Sequence, residues 1–149
     1  GFGWLGVGYY SPDLDRMKAK IAEYGLDKVI ELFPWLSHKE TLEYVKNSMF
    51  YLTVARYEGL PLAVIEAMSL GKAIVASDVV GNRDCVEDGY NGRLLPFEKE
   101  VFLKAICELL EDKQKREWYG ENSRALFENK FLITNRIKEL EAIYQSFCL

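Results

Sequence analysis

Glu58 and Glu66 stand eight positions apart in Glu58-Gly-Leu-Pro-Leu-Ala-Val-Ile-Glu66, and Ala67-Met68-Ser69-Leu70-Gly71 follows at once. The first carboxylate falls in a loop with Gly59 and Pro61, the second in the helix that Pro61 opens, so both can face one ligand at that helix's N-terminus. Proline fits the first helical turn because the N–H it lacks has no partner there. The same N-terminus offers free backbone N–H groups and the positive end of the helix dipole, which together suit a phosphate. A carboxylate accepts hydroxyl hydrogen bonds worth ~1.5–3 kcal/mol each. Phosphate donors and carboxylates in one loop point to a nucleotide-sugar site.

The elements that must hold this loop alternate along the chain. Trp4 to Tyr10 reads as a strand, and Ser11-Pro12-Asp13 caps a helix whose Leu14, Met17 and Ile21 share a face until Gly25 stops it. Lys28 to Phe33 is the next strand, and Ser37-His-Lys-Glu40 is a capping box that starts a helix to about Asn47. Met49 to Val54 is almost wholly apolar, as expected of a parallel strand covered on both faces. The Glu58 loop follows it directly. After a helix from Pro61 to Leu70 come a buried strand at Lys72 to Ser77, a Gly-rich loop, a turn at Asp88-Gly-Tyr-Asn-Gly92 and a short strand at Arg93 to Leu95 that Pro96 ends. Three helical segments close the chain, Phe97 to Glu111, Lys113 to Asn129 and Ile133 to Phe147. Such alternation with short connections predicts an α/β, Rossmann-like domain, a parallel β-sheet with helices on both faces. Ligands of such sheets bind beyond the carboxyl ends of the strands, where the Arg56 to Pro61 loop lies.

Composition sets bounds. The chain has 149 residues, enough for one domain with a real core, and its 49% hydrophobic and 28% charged residues are those of an ordinary globular protein. A net charge of -4 leaves no basic stripe for nucleic acid. The three cysteines, Cys85, Cys107 and Cys148, are scattered and odd in number, which fits a reducing cytoplasm better than a disulfide framework. No apolar run approaches the roughly 18 residues of a membrane span. His38 is the only histidine and sits in the capping box, so a His-based metal cluster is excluded.

Beyond the E-x7-E pattern, Ile74-Val-Ala-Ser-Asp78, Gly81-Asn82, Glu87-Asp88-Gly89, Asn91-Gly92 and Leu95-Pro96 resemble the C-terminal domain of family 4 retaining glycosyltransferases of GT-B fold. The resemblance covers most of the chain and is densest from Met49 to Pro96. It implies one half of a GT-B fold, with Glu58 against the donor sugar as the catalytic carboxylate and Glu66 on the ribose hydroxyls. Backbone N–H groups at Gly59, Leu60 and Leu62 would face sugar and pyrophosphate around Pro61, which has no N–H to give. A nucleobase pocket would fall at Trp35, Leu36 and Ser37, although Trp35 reads more readily as a core residue. Val54-Ala55 stands where many members have Pro-Ser, and Val80-Gly81 where Gly-Gly is common.

The resemblance further implies sugar transfer from a nucleotide-diphosphate sugar, UDP or GDP, with retention of configuration and without a metal or other cofactor. Charge on the leaving diphosphate must then be met by dipoles or basic residues. Arg56 and Lys72 are the nearby candidates, each with the alternative of an ordinary solvated side chain. The acceptor would be a glycan or lipid-linked glycan of a bacterial surface polysaccharide pathway, handled at the cytoplasmic side, with peripheral contact at the inner membrane face open. The family's N-terminal acceptor-binding domain, and an Arg/Lys pair for the donor phosphates, would precede residue 1, so the chain is expected to be one domain, 1–149, of a longer enzyme. Ile133, Ile137, Leu140 and Tyr144 share a helical face suited to that partner domain or to core packing.

Other readings are weaker. Gly1-Phe-Gly-Trp-Leu-Gly6 matches a dinucleotide fingerprint, but no strand precedes it and a strand follows. A dehydrogenase or epimerase would need a glycine loop after the first strand, where this chain has Ser11-Pro-Asp-Leu-Asp15. Asp13-Leu-Asp15 resembles a metal-binding D-x-D yet falls in a first helical turn, where acids suit the dipole. A non-catalytic nucleotide-binding or interaction module of the same fold is the main alternative.

Overall fold

The computed structural model describes residues 4–7, 12–33 and 35–147. Gly1-Phe2-Gly3 of the glycine motif, Ser11 of the expected first cap and Cys148 lie outside them. The chain forms two compact units, Gly1–Tyr44 and Val45–Leu149.

In the first unit, β1 (Trp4–Val7) and β2 (Ile30–Phe33) pair in parallel, Trp4 opposite Ile30 and Val7 opposite Phe33. Between them runs α1 (Pro12–Glu23), with Asp13 and Asp15 in its first turn as expected. Leu14 is buried, while Met17 remains half-exposed. Gly25, at φ 63°, supplies the left-handed residue that ends the helix. The capping box opens α2 (His38–Asn47): the Ser37 N–H donates to Glu40 at 2.8 Å and the Glu40 N–H to Ser37 Oγ at 3.3 Å. The Ser37 hydroxyl, which also donates to the Glu40 carboxylate, and then the Ser37 N–H hold the Glu40 carboxyl below its usual value.

The second unit carries β3 (Tyr51–Thr53), β4 (Ile74–Ser77) and β5 (Gly92–Leu95), all parallel, in the order β3-β4-β5. The parallel pairing is the predicted one, distributed over two ladders, one in each unit. β4 is central and buried along its whole length, and its side chains alternate between two cores. Ile74 and Ala76 pack with Val64, Ala67 and Met68 of α3 (Leu62–Ser69), Cys85 of α4 (Val80–Cys85) and Leu126 of α6 (Lys113–Lys130). Ala73 and Val75 pack with Phe102, Ala105 and Leu109 of α5 (Lys99–Glu111) and with Tyr119. Full burial of one such aliphatic side chain stabilises by ~1.5–3 kcal/mol. Helices therefore cover both faces of this sheet.

α3 ends in a Schellman turn, with Gly71 at φ 66°, its N–H on the Met68 carbonyl and the Lys72 N–H on that of Ala67. The expected turn before β5 is tied by Asn91, which is fully buried. Its Oδ1 accepts the Glu87 N–H at 2.8 Å and its Nδ2 donates to the Cys85 carbonyl at 3.0 Å.

Two predictions need correction. β3 is shorter than Met49 to Val54, because the Ala55 carbonyl is taken by the Ser77 hydroxyl and the chain leaves the ladder before it. The segment read as a Gly-rich loop contains α4, a six-residue helix whose Gly81 and Asn82 are poor helix formers held by tertiary contacts. At the end of the chain α7 (Ile133–Phe147) buries none of its residues. Among the described residues no helix is long and apolar enough to cross a membrane.

Candidate functional site

Parallel pairing puts the C-terminal ends of β3, β4 and β5 on one side of their sheet, and the segments 54–61, 78–79 and 96–98 leave there. Residues 54–61 hold Arg56 and Glu58 between two anchors. On one side the buried Ser77 hydroxyl donates to the Ala55 carbonyl at 2.5 Å. On the other the Gly81 N–H donates to the Glu58 carbonyl at 3.0 Å. A Cβ on Gly81 would stand 2.7 Å from that oxygen and overlap the Gly59 carbonyl, so only glycine lets the loop settle here. Asn82, fully buried, fixes the anchor itself through Nδ2 on the Ser77 carbonyl at 2.9 Å.

Pro61 is buried at the N-cap rather than inside the first turn, and its carbonyl accepts the Val64 and Ile65 N–H groups. The Leu62 N–H is bonded to the Leu60 carbonyl at 2.9 Å, so of the three main-chain donors expected for a phosphate it is already engaged. Among the described residues no acceptor takes the Gly59 or Leu60 N–H. Glu58 in the loop and Glu66 one turn into α3 are both half-buried. Their charges meet at a residue that the sequence presented only as part of an apolar run. Burial first, then Glu58 and Glu66, push the Tyr51 phenol above its ordinary value.

The two basic candidates diverge. Lys72 donates through Nζ to the carbonyls of Lys46 at 2.6 Å and Ser48 at 2.8 Å, closing the end of α2, and burial lowers its pKa. Its ammonium is held by main chain rather than solvated. Arg56 is exposed, with its guanidinium 5.5 Å from the centre of the Phe97 ring. Trp35, Leu36 and Ser37 belong to the first unit. Trp35 is 67% exposed, which removes the core-packing reading, and Ser37 spends its N–H and hydroxyl on Glu40. Cys85 is a core residue whose thiol burial pushes up to about 11. Among the described residues no three His, Cys, Asp or Glu side chains gather as a metal site.

The doubly covered parallel sheet with the acidic loop at its carboxyl edge has the fold of one half of a GT-B protein, and solved structures share it. Anabaena HepE, solved in complex with UDP-glucose, superposes with a TM-score of 0.84 at 22% identity over 95% of this chain and 40% of that one. The chain belongs to the family of glycosyl transferases group 1, whose model matches residues 5–126. An uncharacterized glycosyltransferase of Methanocaldococcus jannaschii is 33% identical over 91% of this chain and 35% of its own length. The alpha-D-kanosaminyltransferase of Streptomyces kanamyceticus is 28% identical over 97% of this chain and 37% of its own. The chain thus spans about a third of the length of these relatives.

Proposed function

We propose that this chain is the donor-binding domain of a family 4 retaining glycosyltransferase, which moves a sugar from a nucleotide-diphosphate sugar to a glycan or lipid-linked acceptor. The observation that carries the reading is the fixed disposition of the two carboxylates. Glu58 sits in a loop anchored on both sides, Glu66 follows on α3, and the charges of both are felt at Tyr51. The UDP-glucose bound to the Anabaena neighbour supports a UDP-sugar as donor.

In this reading Glu66 accepts the ribose hydroxyls, and Glu58 orients the sugar and offsets positive charge growing at its anomeric carbon. The main-chain N–H groups of Gly59 and Leu60, with Arg56, meet the negative charge that develops on the leaving diphosphate. Prearranged donors of this kind act without reorganising as the bond breaks. The reaction uses no metal or other cofactor. Trp35 and Leu36 are the candidates for the nucleobase. The protein works at the cytoplasmic side, against the membrane face where the acceptor is lipid-linked.

α7 bears on the partner. Ile133, Ile137, Leu140, Ile143, Tyr144 and Phe147 are all 47% exposed or more, a face that suits an N-terminal acceptor-binding domain of the same protein. The same face is what a non-catalytic interaction module would offer to another protein. Calorimetric titration of the chain with UDP, GDP, ADP and their sugar conjugates tests the donor reading. Saturable binding of one nucleotide, lost in Glu66→Ala, is the expected result. Absence of binding at millimolar ligand, in this chain and in a longer protein containing it, would sink it.

A further inference from the structure

The contact between Arg56 and Phe97 joins two loops that leave the same edge of the sheet, one after β3 and one after β5. Arg56 is fixed at three points. Its main chain lies between the Ala55 carbonyl held by Ser77 and the Glu58 carbonyl held by Gly81, and its guanidinium lies over the Phe97 ring at 5.5 Å. Among the described residues no carboxylate pairs with it. The other arginines that hold rings or sheet edges are spent differently: Arg93 bonds Asp88 and Glu108, and Arg124 bonds Glu128. A ring contact uses the π face and none of the five N–H donors, so it restrains a guanidinium while leaving its hydrogen bonds unspent.

Phe97 itself has no evident core role, because it is 56% exposed immediately after Pro96 has ended β5. A guanidinium restrained over a ring, with its N–H fork unspent, is free to meet a phosphate bidentately. We propose that Phe97 is a positioning residue that holds Arg56 as the diphosphate reader of the donor site. This rests on the donor-binding reading above and adds to it the residue that readies the cation. Less ordering of Arg56 is then required when the ligand arrives.

The test is calorimetric titration of the 149-residue chain and its F97L, F97Y, R56Q and R56Q/F97L variants with UDP, GDP and ADP. NMR titration with uridine, guanosine and adenosine serves as the phosphate-free control. For the nucleoside diphosphate that binds, F97L should raise Kd about threefold, the scale of an exposed cation–π contact. F97Y, which keeps a ring, should restore it. Adding F97L to R56Q should cost nothing more, and shifts induced by the nucleosides should not change. Wild-type affinity in F97L, an equal loss for the nucleoside, or a further loss in the double variant would each overturn the assignment of Phe97 while leaving the donor reading standing. No saturable binding of any diphosphate, by the wild-type chain or by a longer protein containing it, would instead overturn that reading, and this inference with it.

Discussion

The Gly81 N–H holds the Glu58 carbonyl at 3.0 Å, and the missing Cβ of Gly81 is what permits that approach. α4 is thereby a device for placing the Glu58 loop rather than a stray turn. A methyl at 81 would have to displace main chain, which cannot rotate away as a side chain can. Gly81→Ala should destabilise the second unit by ~1–3 kcal/mol, as overpacking does. It should also weaken nucleotide-sugar binding more than binding of the nucleotide alone, since it moves Glu58 and leaves Glu66 on its helix. Urea denaturation together with paired titrations would check both effects. Equal affinity losses for the two ligands would detach Gly81 from Glu58.

The two carboxylates separate by ligand. Glu66→Ala should lower affinity for UDP and UDP-sugar alike by about tenfold or more, the loss expected when charged hydrogen bonds to a ribose disappear. Glu58→Ala should matter mainly when the sugar is attached. Titrating both variants with both ligands reads the difference directly, and equal losses in Glu58→Ala would count against its role at the sugar.

Lys72 and Arg56 looked alike in the sequence and should now behave in opposite ways. Lys72→Met keeps the apolar stem but strands the Lys46 and Ser48 carbonyls, so it should cost about 1–2 kcal/mol of stability. Its nucleotide affinity should match that of the wild type. Arg56→Gln, on an exposed side chain, should keep stability within about 0.5 kcal/mol and lose diphosphate affinity. Thermal melts beside titrations separate the pair, and a nucleotide-binding defect in Lys72→Met would restore it to the site.

What the sequence revealed and what it hid follow from how local each signal is. The capping box at Ser37 and Glu40, the stop at Gly71 and the apolar β4 are decided by neighbours in sequence, and all three form, β4 from Ile74 rather than from Lys72. The E-x7-E pattern is also local, since loop and helix are consecutive. By contrast, α4 forms against its own propensities because Asn82 reaches Ser77 and Gly81 reaches Glu58, the latter 23 positions away. Phe97 and Lys72 likewise gain their roles across 41 and 24–26 positions, respectively, from Arg56 and from the Lys46 and Ser48 carbonyls. Nothing near them in the chain announces such contacts.

Away from the site, Glu108 offers a test of how the fold responds to acid. Its carboxylate bonds Lys115 and, at 3.1 Å, Arg93, which also bonds Asp88 at 3.0 Å, so one cluster joins α5, α6 and β5. The Lys115 hydrogen bond, more than the neighbouring charges, holds Glu108 below its ordinary 4.5. A carboxylate with a lower pKa folded than unfolded stabilises the fold above the unfolded value and ceases to do so as pH falls through the folded one. Wild type should therefore exceed Glu108→Gln in stability at pH 6, by about 1 kcal/mol or less because the group is near a third exposed and screened by water. That margin should shrink below pH 4.5 and vanish once the folded carboxyl protonates. Denaturation of both proteins from pH 6 to pH 3 would follow it, and high salt should narrow it at pH 6. A margin independent of pH would mean that Glu108 acts through packing, leaving Arg93 and Asp88 to hold the edge of β5 without it.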